Sequence, residues 1–153
     1  MLVLLDLDGT LTDPFAGMSR SFRHMFMSVG VQPPDEAGLR RLIGPPFNQS
    51  LPQLGVPMSR VDEAIIAYRS VYDAGGAMFD AHVYDGIPEA LDALLAAGHI
   101  LALATSKPEI PAAKIVSHFG LASRLAFVGG ATADGSRQHK ADVIEHVLRT
   151  VGV

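Results

Sequence analysis

An α/β fold, with a parallel sheet and an inserted block of helices, is predicted by three observations. A Val and Leu run over Val3–Leu5 ends abruptly in Asp6, Asp8 and Gly9. Strand and helix patterns alternate from about residue 84 onward. Between these two pieces, from about Ala16 to Gly75, the apolar spacing is helical throughout. A short apolar run closed by a glycine turn reads as a strand buried on both faces. Alternating strands and helices build a parallel sheet through right-handed crossovers.

Composition narrows the class. With 153 residues, 48% of them hydrophobic, the chain can bury a sizeable core. The net charge of -4, with scattered basic residues, offers no footprint for nucleic acid. The absence of cysteine excludes disulfides and thiolate metal sites. The N-terminus lacks a basic leader and is interrupted by Asp6, so it does not read as a signal peptide. No apolar run reaches the ~18 residues of a membrane span. A cytoplasmic protein is the expectation.

Taken in order, the first helix carries Phe15, Met18, Phe22, Met25, Phe26 and Val29, and stops at Gly30. Asp35 is placed to cap a second helix with Leu39, Leu42 and Ile43. Gly44-Pro45-Pro46 ends it as a rigid loop, and Leu51 and Leu54 mark a short third piece. Ser59-Arg60-Val61-Asp62 resembles a capping box, with Asp where Glu is usual. The helix it opens carries Val61, Ile65, Tyr68 and Tyr72, and stops at Gly75-Gly76. Pro88 opens a helix with Leu91, Leu94 and Leu95. His99–Ala104 reads as a buried strand ending in Thr105-Ser106-Lys107-Pro108. A helix with Ile115, Val116 and Phe119 follows, then a short strand Leu125–Val128 and a flexible Gly129-Gly130. Asp134-Gly135-Ser136 is a turn, and Lys140 opens the last helix.

Open α/β sheets place their chemistry at the carboxyl ends of the strands. Three such ends are candidates for one pocket: Asp6 with Asp8, Thr105 with Ser106, and the turn before Lys140. Asp6 and Asp8 are two apart and share a strand face, and paired carboxylates call for a cation, a proton or a phosphate. Hydroxyl and backbone N–H donors suit phosphoryl oxygens, and a lysine offsets their charge. The six histidines show no metal-ligand spacing and receive no role. The Met and Phe stripe of the first helix reads as packing.

Asp6-Leu7-Asp8-Gly9-Thr10-Leu11-Thr12-Asp13 is similar to the first motif of the haloacid dehalogenase superfamily, in its phosphatase branch. Ala104-Thr105-Ser106-Lys107-Pro108 resembles the second motif, and Lys140 the third. Within that branch the sequence resembles the phosphoglycolate phosphatase-like subgroup. The resemblance implies a Rossmann-like core over 1–14 and 81–153, with a helical-bundle cap over 15–80. It implies Asp6 as nucleophile, Asp8 as acid and base, Thr105 as hydrogen-bond donor to the phosphoryl group and Lys140 as stabilising cation, with an aspartyl-phosphate intermediate. Leu7, Gly9, Thr10 and Ser106 would line the substrate, and Gly44 and Pro45 would sit on the cap loop that reaches over it. Mg²⁺ would be held by Asp6 and the Asp8 carbonyl. The implied partner is a small phosphorylated metabolite, with no nucleic acid and no membrane.

The family also has a fourth, acidic motif on a later strand. After Lys140 only Asp142 and Glu145 are acidic, and both fall on the last helix. The sequence therefore reads as C-terminally incomplete, with the opening strand on an open edge suited to a homodimer. Two further readings stand beside the phosphatase. One is a sugar-phosphate mutase of the same superfamily. The Gly44-Pro45-Pro46 loop has no basic residue for a second phosphate, but Arg40 and Arg41 lie close by. The other is an impaired remnant that acts by binding a partner. A phospho-receiver domain fits less well, because no aspartate ends the Leu101–Ala104 strand.

Overall fold

The computed structural model describes residues 1–132 and 134–152. The chain forms two compact units, one of Met1–Asp13 with His82–Val153 and one of Pro14–Ala81. No helix among the described residues is long and apolar enough to cross a membrane.

The first unit is built on a parallel sheet of three strands, β1 (Leu2–Leu5), β4 (Ile100–Pro108) and β5 (Phe127–Ala131), in the order β1-β4-β5. The register pairs Leu2 with Ile100 and Leu5 with Leu103, then Ala102 with Phe127 and Ala104 with Gly129. The central strand is the most deeply buried, with Leu101, Ala102 and Leu103 fully enclosed. Helices α5 (Ile87–Ala96) and α6 (Glu109–His118) connect successive strands. Both crossovers run the same way across the sheet, so right-handedness puts them on one face. Helix α7 (Lys140–Val151) packs Val143 and Val147 against Ala102 and Ala104, with Leu2, Leu4 and Phe127 around them. The small side chains of β4 let that helix approach closely.

Two features depart from the sequence expectations. A two-residue antiparallel ribbon, β2 (Thr12–Asp13) with β3 (His82–Val83), was not foreseen, being too short to show a period. Gly129-Gly130, expected as a flexible link, lies within β5, and β4 runs on to Pro108 rather than ending at Ala104. The glycines are required by close packing. A Cβ on Gly130 would lie 2.6 Å from both the Lys107 carbonyl oxygen and Glu109 Cα, and one on Gly129 would strike Val147.

The second unit is helical: α1 (Phe15–Ser28), α2 (Glu36–Arg40), α3 (Phe47–Gln53) and α4 (Val61–Arg69), continued by a wider turn over Ser70–Ala74. Asp35 caps α2 as expected, its carboxylate accepting the Gly38 N–H at 2.8 Å. Ser59 does not cap α4. A tight 3₁₀ turn, Met58–Arg60, precedes that helix without a side-chain cap. The Met and Phe stripe of α1 is buried, and Phe22, Phe47, Tyr68 and Tyr72 form a ring cluster with centroids 5.0–6.0 Å apart. Arg40 pairs with Glu36 at 3.0 Å and lies 3.7 Å over the Phe15 ring. Gly44 and Pro45 lie exposed between α2 and α3.

Candidate active site

The site belongs to the first unit and begins where β1 ends. Leu7 and Leu11 are buried anchors, and the Leu7 carbonyl accepts the N–H groups of Thr10, Leu11 and Thr12 at 2.9–3.2 Å. Gly9 takes φ +79°, a left-handed turn that costs glycine little, and its N–H donates to the Thr12 carbonyl at 2.8 Å. This knot holds Asp6 and Asp8 on either side of Leu7. The Leu7 N–H donates to Asp6 Oδ1 at 2.8 Å. The N–H groups of Leu7, Gly9 and Thr10 are thus engaged within the turn.

The end of β4 supplies the second set of groups. Its pairing with β5 shifts register between Ala104 and Pro108. Over that stretch Thr105 and Lys107 are buried, while Ser106 and Pro108 are exposed. The Thr105 hydroxyl oxygen accepts the Lys107 N–H at 3.2 Å.

The third set comes from α7. The loop before it is pinned by Arg137, which donates to the Gly130 carbonyl at 2.7 Å and pairs with Glu109 at 2.6 Å. Lys140 follows on the first turn of the helix. Its Nζ lies 2.8 Å from Asp6 Oδ2, occluded from solvent and without an aligned hydrogen bond, so charge alone holds the pair.

The two carboxylates differ in environment. The Asp6 side chain is 42% exposed and faces the half-exposed Lys140. The Asp8 side chain is 16% exposed, and its Oδ2 lies 3.0 Å from the Nζ of Lys107, which is 4% exposed. Burial holds the Asp8 carboxyl above its ordinary value, opposed by the Lys107 ammonium and helped by the Asp6 charge. Asp8 Oδ1 is buried and has no hydrogen-bond partner among the described residues.

Asp6, Asp8, Thr105 and Lys140 thus come from strand ends and a helix start of one unit. Ser106 and Thr10 are exposed nearby in sequence, while Gly44 and Pro45 belong to the other unit. Lys107, named from the sequence only as part of the second motif, faces Asp8 as Lys140 faces Asp6. The two lysines divide the work, one to each aspartate. The available signal was its spacing of two from Thr105 on a strand, which puts both on one side.

The family resemblance would assign a divalent cation to an Asp6 carboxylate oxygen and the Asp8 carbonyl. No group of three His, Asp or Glu side chains gathers among the described residues. Asp142 and Glu145 are spent on α7, accepting the His139 N–H at 3.3 Å and pairing with Arg149 at 2.6 Å. Mg²⁺ commonly keeps several waters and takes substrate phosphate oxygens as ligands, so a site for it need not be closed by protein side chains alone.

The family model described as haloacid dehalogenase-like hydrolase matches residues 3–153. A 5'-nucleotidase of Pseudomonas aeruginosa is 41% identical over 152 residues, covering 99% of this chain and 68% of that protein. A tyrosine-protein kinase PtkA of Mycobacterium tuberculosis is 42% identical over 147 residues, covering 96% of this chain and 50% of that protein. A phosphoglycolate phosphatase of Agrobacterium fabrum is 30% identical, covering 98% of this chain and 65% of that protein. Among solved structures, a haloacid dehalogenase-like hydrolase of Streptococcus pneumoniae superposes with TM-score 0.91 at 28% identity, covering 99% of this chain and 70% of that one.

Proposed function

The chain belongs to the haloacid dehalogenase-like hydrolases, and on that premise we propose that it is a phosphomonoesterase working through Asp6. The observation that carries this reading is the pairing of each strand-end aspartate with its own lysine, one of which also donates its backbone N–H to the Thr105 hydroxyl oxygen. Two ammonium groups beside the strand-end carboxylates would offset the charge of an incoming phosphate ester.

In this reading the Asp6 carboxylate attacks phosphorus and forms an aspartyl-phosphate. Asp8 gives its proton to the leaving oxygen, then takes one from the water that hydrolyses the intermediate. The raised Asp8 pKa keeps that proton available at higher pH than an ordinary carboxyl would. Thr105 accepts the Lys107 N–H through its oxygen, so its O–H remains to donate to a phosphoryl oxygen. Lys140 offsets the charge that gathers on Asp6 and the phosphoryl group. Mg²⁺, held by Asp6 and the Asp8 carbonyl, would screen the repulsion between the anionic nucleophile and the anionic ester.

The substrate class is a small phosphomonoester. The similarity to a 5'-nucleotidase and to a phosphoglycolate phosphatase supports testing a nucleoside 5'-monophosphate beside 2-phosphoglycolate. We place Pro14–Ala81 as the cap. Arg40, engaged by Glu36 and Phe15, is poorly placed to grip a second phosphate, which favours hydrolysis over the mutase reading. The similarity to a tyrosine-protein kinase favours a second reading, in which a tyrosine hydroxyl replaces water as the final acceptor.

The test is phosphate release from p-nitrophenyl phosphate in Mg²⁺. Asp6→Asn is expected to abolish it, and unchanged turnover in that variant overturns the assignment. Label from a γ-labelled nucleoside triphosphate appearing on tyrosine instead of as free phosphate would favour the second reading.

A further inference from the structure

We propose that Lys107 is the positioning residue for the acid–base step: it holds Asp8 by Oδ2 and leaves Oδ1 as the oxygen that carries the proton. This rests on the phosphatase reading and adds to it a residue with no role of its own there.

A lysine taken out of water is costly unless it is paired and hydrogen-bonded. Lys107 has a side chain only 4% exposed, on the strand that carries Thr105, while Lys140 keeps 38% of its side chain exposed. The Asp6–Lys140 pair is thus carried by two partly exposed side chains, with Lys140 Nζ itself occluded, whereas both side chains of the Asp8–Lys107 pair are enclosed. An enclosed ammonium 3.0 Å from Oδ2 prevents the carboxyl from turning about its own axis, because rotation would break the contact inside a buried site. Asp8 Oδ1 is then the oxygen left to meet an incoming group. It is the buried carboxylate oxygen that lacks a hydrogen-bond partner among the described residues.

The main chain of the same residue acts on Thr105. The Lys107 N–H donates to Thr105 Oγ1 at 3.2 Å, which turns the hydroxyl proton elsewhere. One residue therefore orients two proton-handling groups, by its ammonium and by its amide. The register shift between Ala104 and Pro108 is the local device that makes this arrangement.

During transfer, a bond forms between an Asp6 oxygen and phosphorus, and the bond from phosphorus to the leaving oxygen breaks. The proton on Asp8 Oδ1 passes to that oxygen, and the alcohol departs. When a water oxygen attacks phosphorus, a water proton passes to Oδ1, the bond from phosphorus to the Asp6 oxygen breaks, and phosphate leaves with the Asp6 carboxylate restored. Lys107 keeps its three protons throughout.

The experiment compares kcat/KM for p-nitrophenyl phosphate, whose leaving group departs without a proton, with that for 2-phosphoglycolate, whose alkoxide needs one. Lys107→Met is expected to lower kcat/KM for the alkyl ester about 100-fold, within the range general acid catalysis supplies. The aryl ester should lose less than about tenfold, and Lys107→Arg should recover part of the alkyl activity. Equal losses on both esters, or none on the alkyl ester, overturn the proposal and leave the phosphatase reading standing. Wild-type protein inactive on both esters removes that reading and this one with it. If Lys107→Met fails to fold, Lys107→Gln is read by the same ratio.

Discussion

Asp6 and Asp8 are two residues apart, yet they carry different energetic consequences. The Asp8–Lys107 pair is enclosed, with side chains 16% and 4% exposed, whereas the Asp6–Lys140 pair has 42% and 38%. Removing one charge of an enclosed pair leaves the other buried and uncompensated. Asp8→Asn is therefore expected to destabilise the protein by about 3 kcal/mol. Asp6→Asn should cost less than about 1 kcal/mol, because the Asp6 side chain keeps 42% of its surface in solvent, which screens the pair. Urea unfolding of the two variants checks the ranking, and equal midpoints would contradict it. Asp134 gives a second test at this scale. It accepts hydrogen bonds from the Ser136 backbone and hydroxyl, which lower its pKa from 3.8 to about 2. A depressed carboxyl stabilises the native state above its unfolded value and loses that contribution as pH falls through its folded value. The stability of the wild type should thus fall between pH 3.8 and about 2 partly on account of Asp134. Asp134→Asn should lose that share of the slope, seen in acid titrations followed by circular dichroism.

Among the elements, the ends of β4 and β5 matter most to the site. Gly130 lets β5 lie against the stretch from Lys107 to Glu109, where a methyl group would meet backbone atoms at 2.6 Å. Backbone atoms cannot step aside as a flexible side chain can, so Gly130→Ala is expected to cost about 1–3 kcal/mol. Activity should fall with it, because Lys107 is among the atoms displaced. Thermal unfolding together with turnover measures both effects, and a variant as stable and active as wild type would contradict them. The short strand at Phe127–Ala131 was half-legible in sequence. Phe127 and Val128 signalled it, but the two glycines carried the opposite signal. Local propensity gives glycine to loops, and only the closeness of α6 and α7 explains its use inside the sheet.

For the molecule as a whole, β1 pairs with β4 on one side only among the described residues, and Leu2–Leu5 are half-buried. An unpaired, apolar strand edge is a template for association. The 153-residue chain is expected to self-associate as its concentration rises, with light scattering moving from the single-chain mass towards twice that value. A mass constant over a hundredfold concentration range would show that the edge is not used. Such association would be the physical content of the homodimer expectation.

The sequence by itself determined the sheet-forming runs, the helical insert, and the order in which Asp6, Asp8, Thr105 and Lys140 occur. Each of these signals is local: an apolar run, a period of three to four residues, or a motif of eight residues around a glycine turn. The tertiary structure alone decided which lysine serves which aspartate. That choice depends on the register of β1 against β4, with Leu5 beside Leu103, and on an irregularity past Ala104 that turns Lys107 inward. Register is set by side-chain packing across the sheet, between residues far apart in the chain, and no local pattern encodes it.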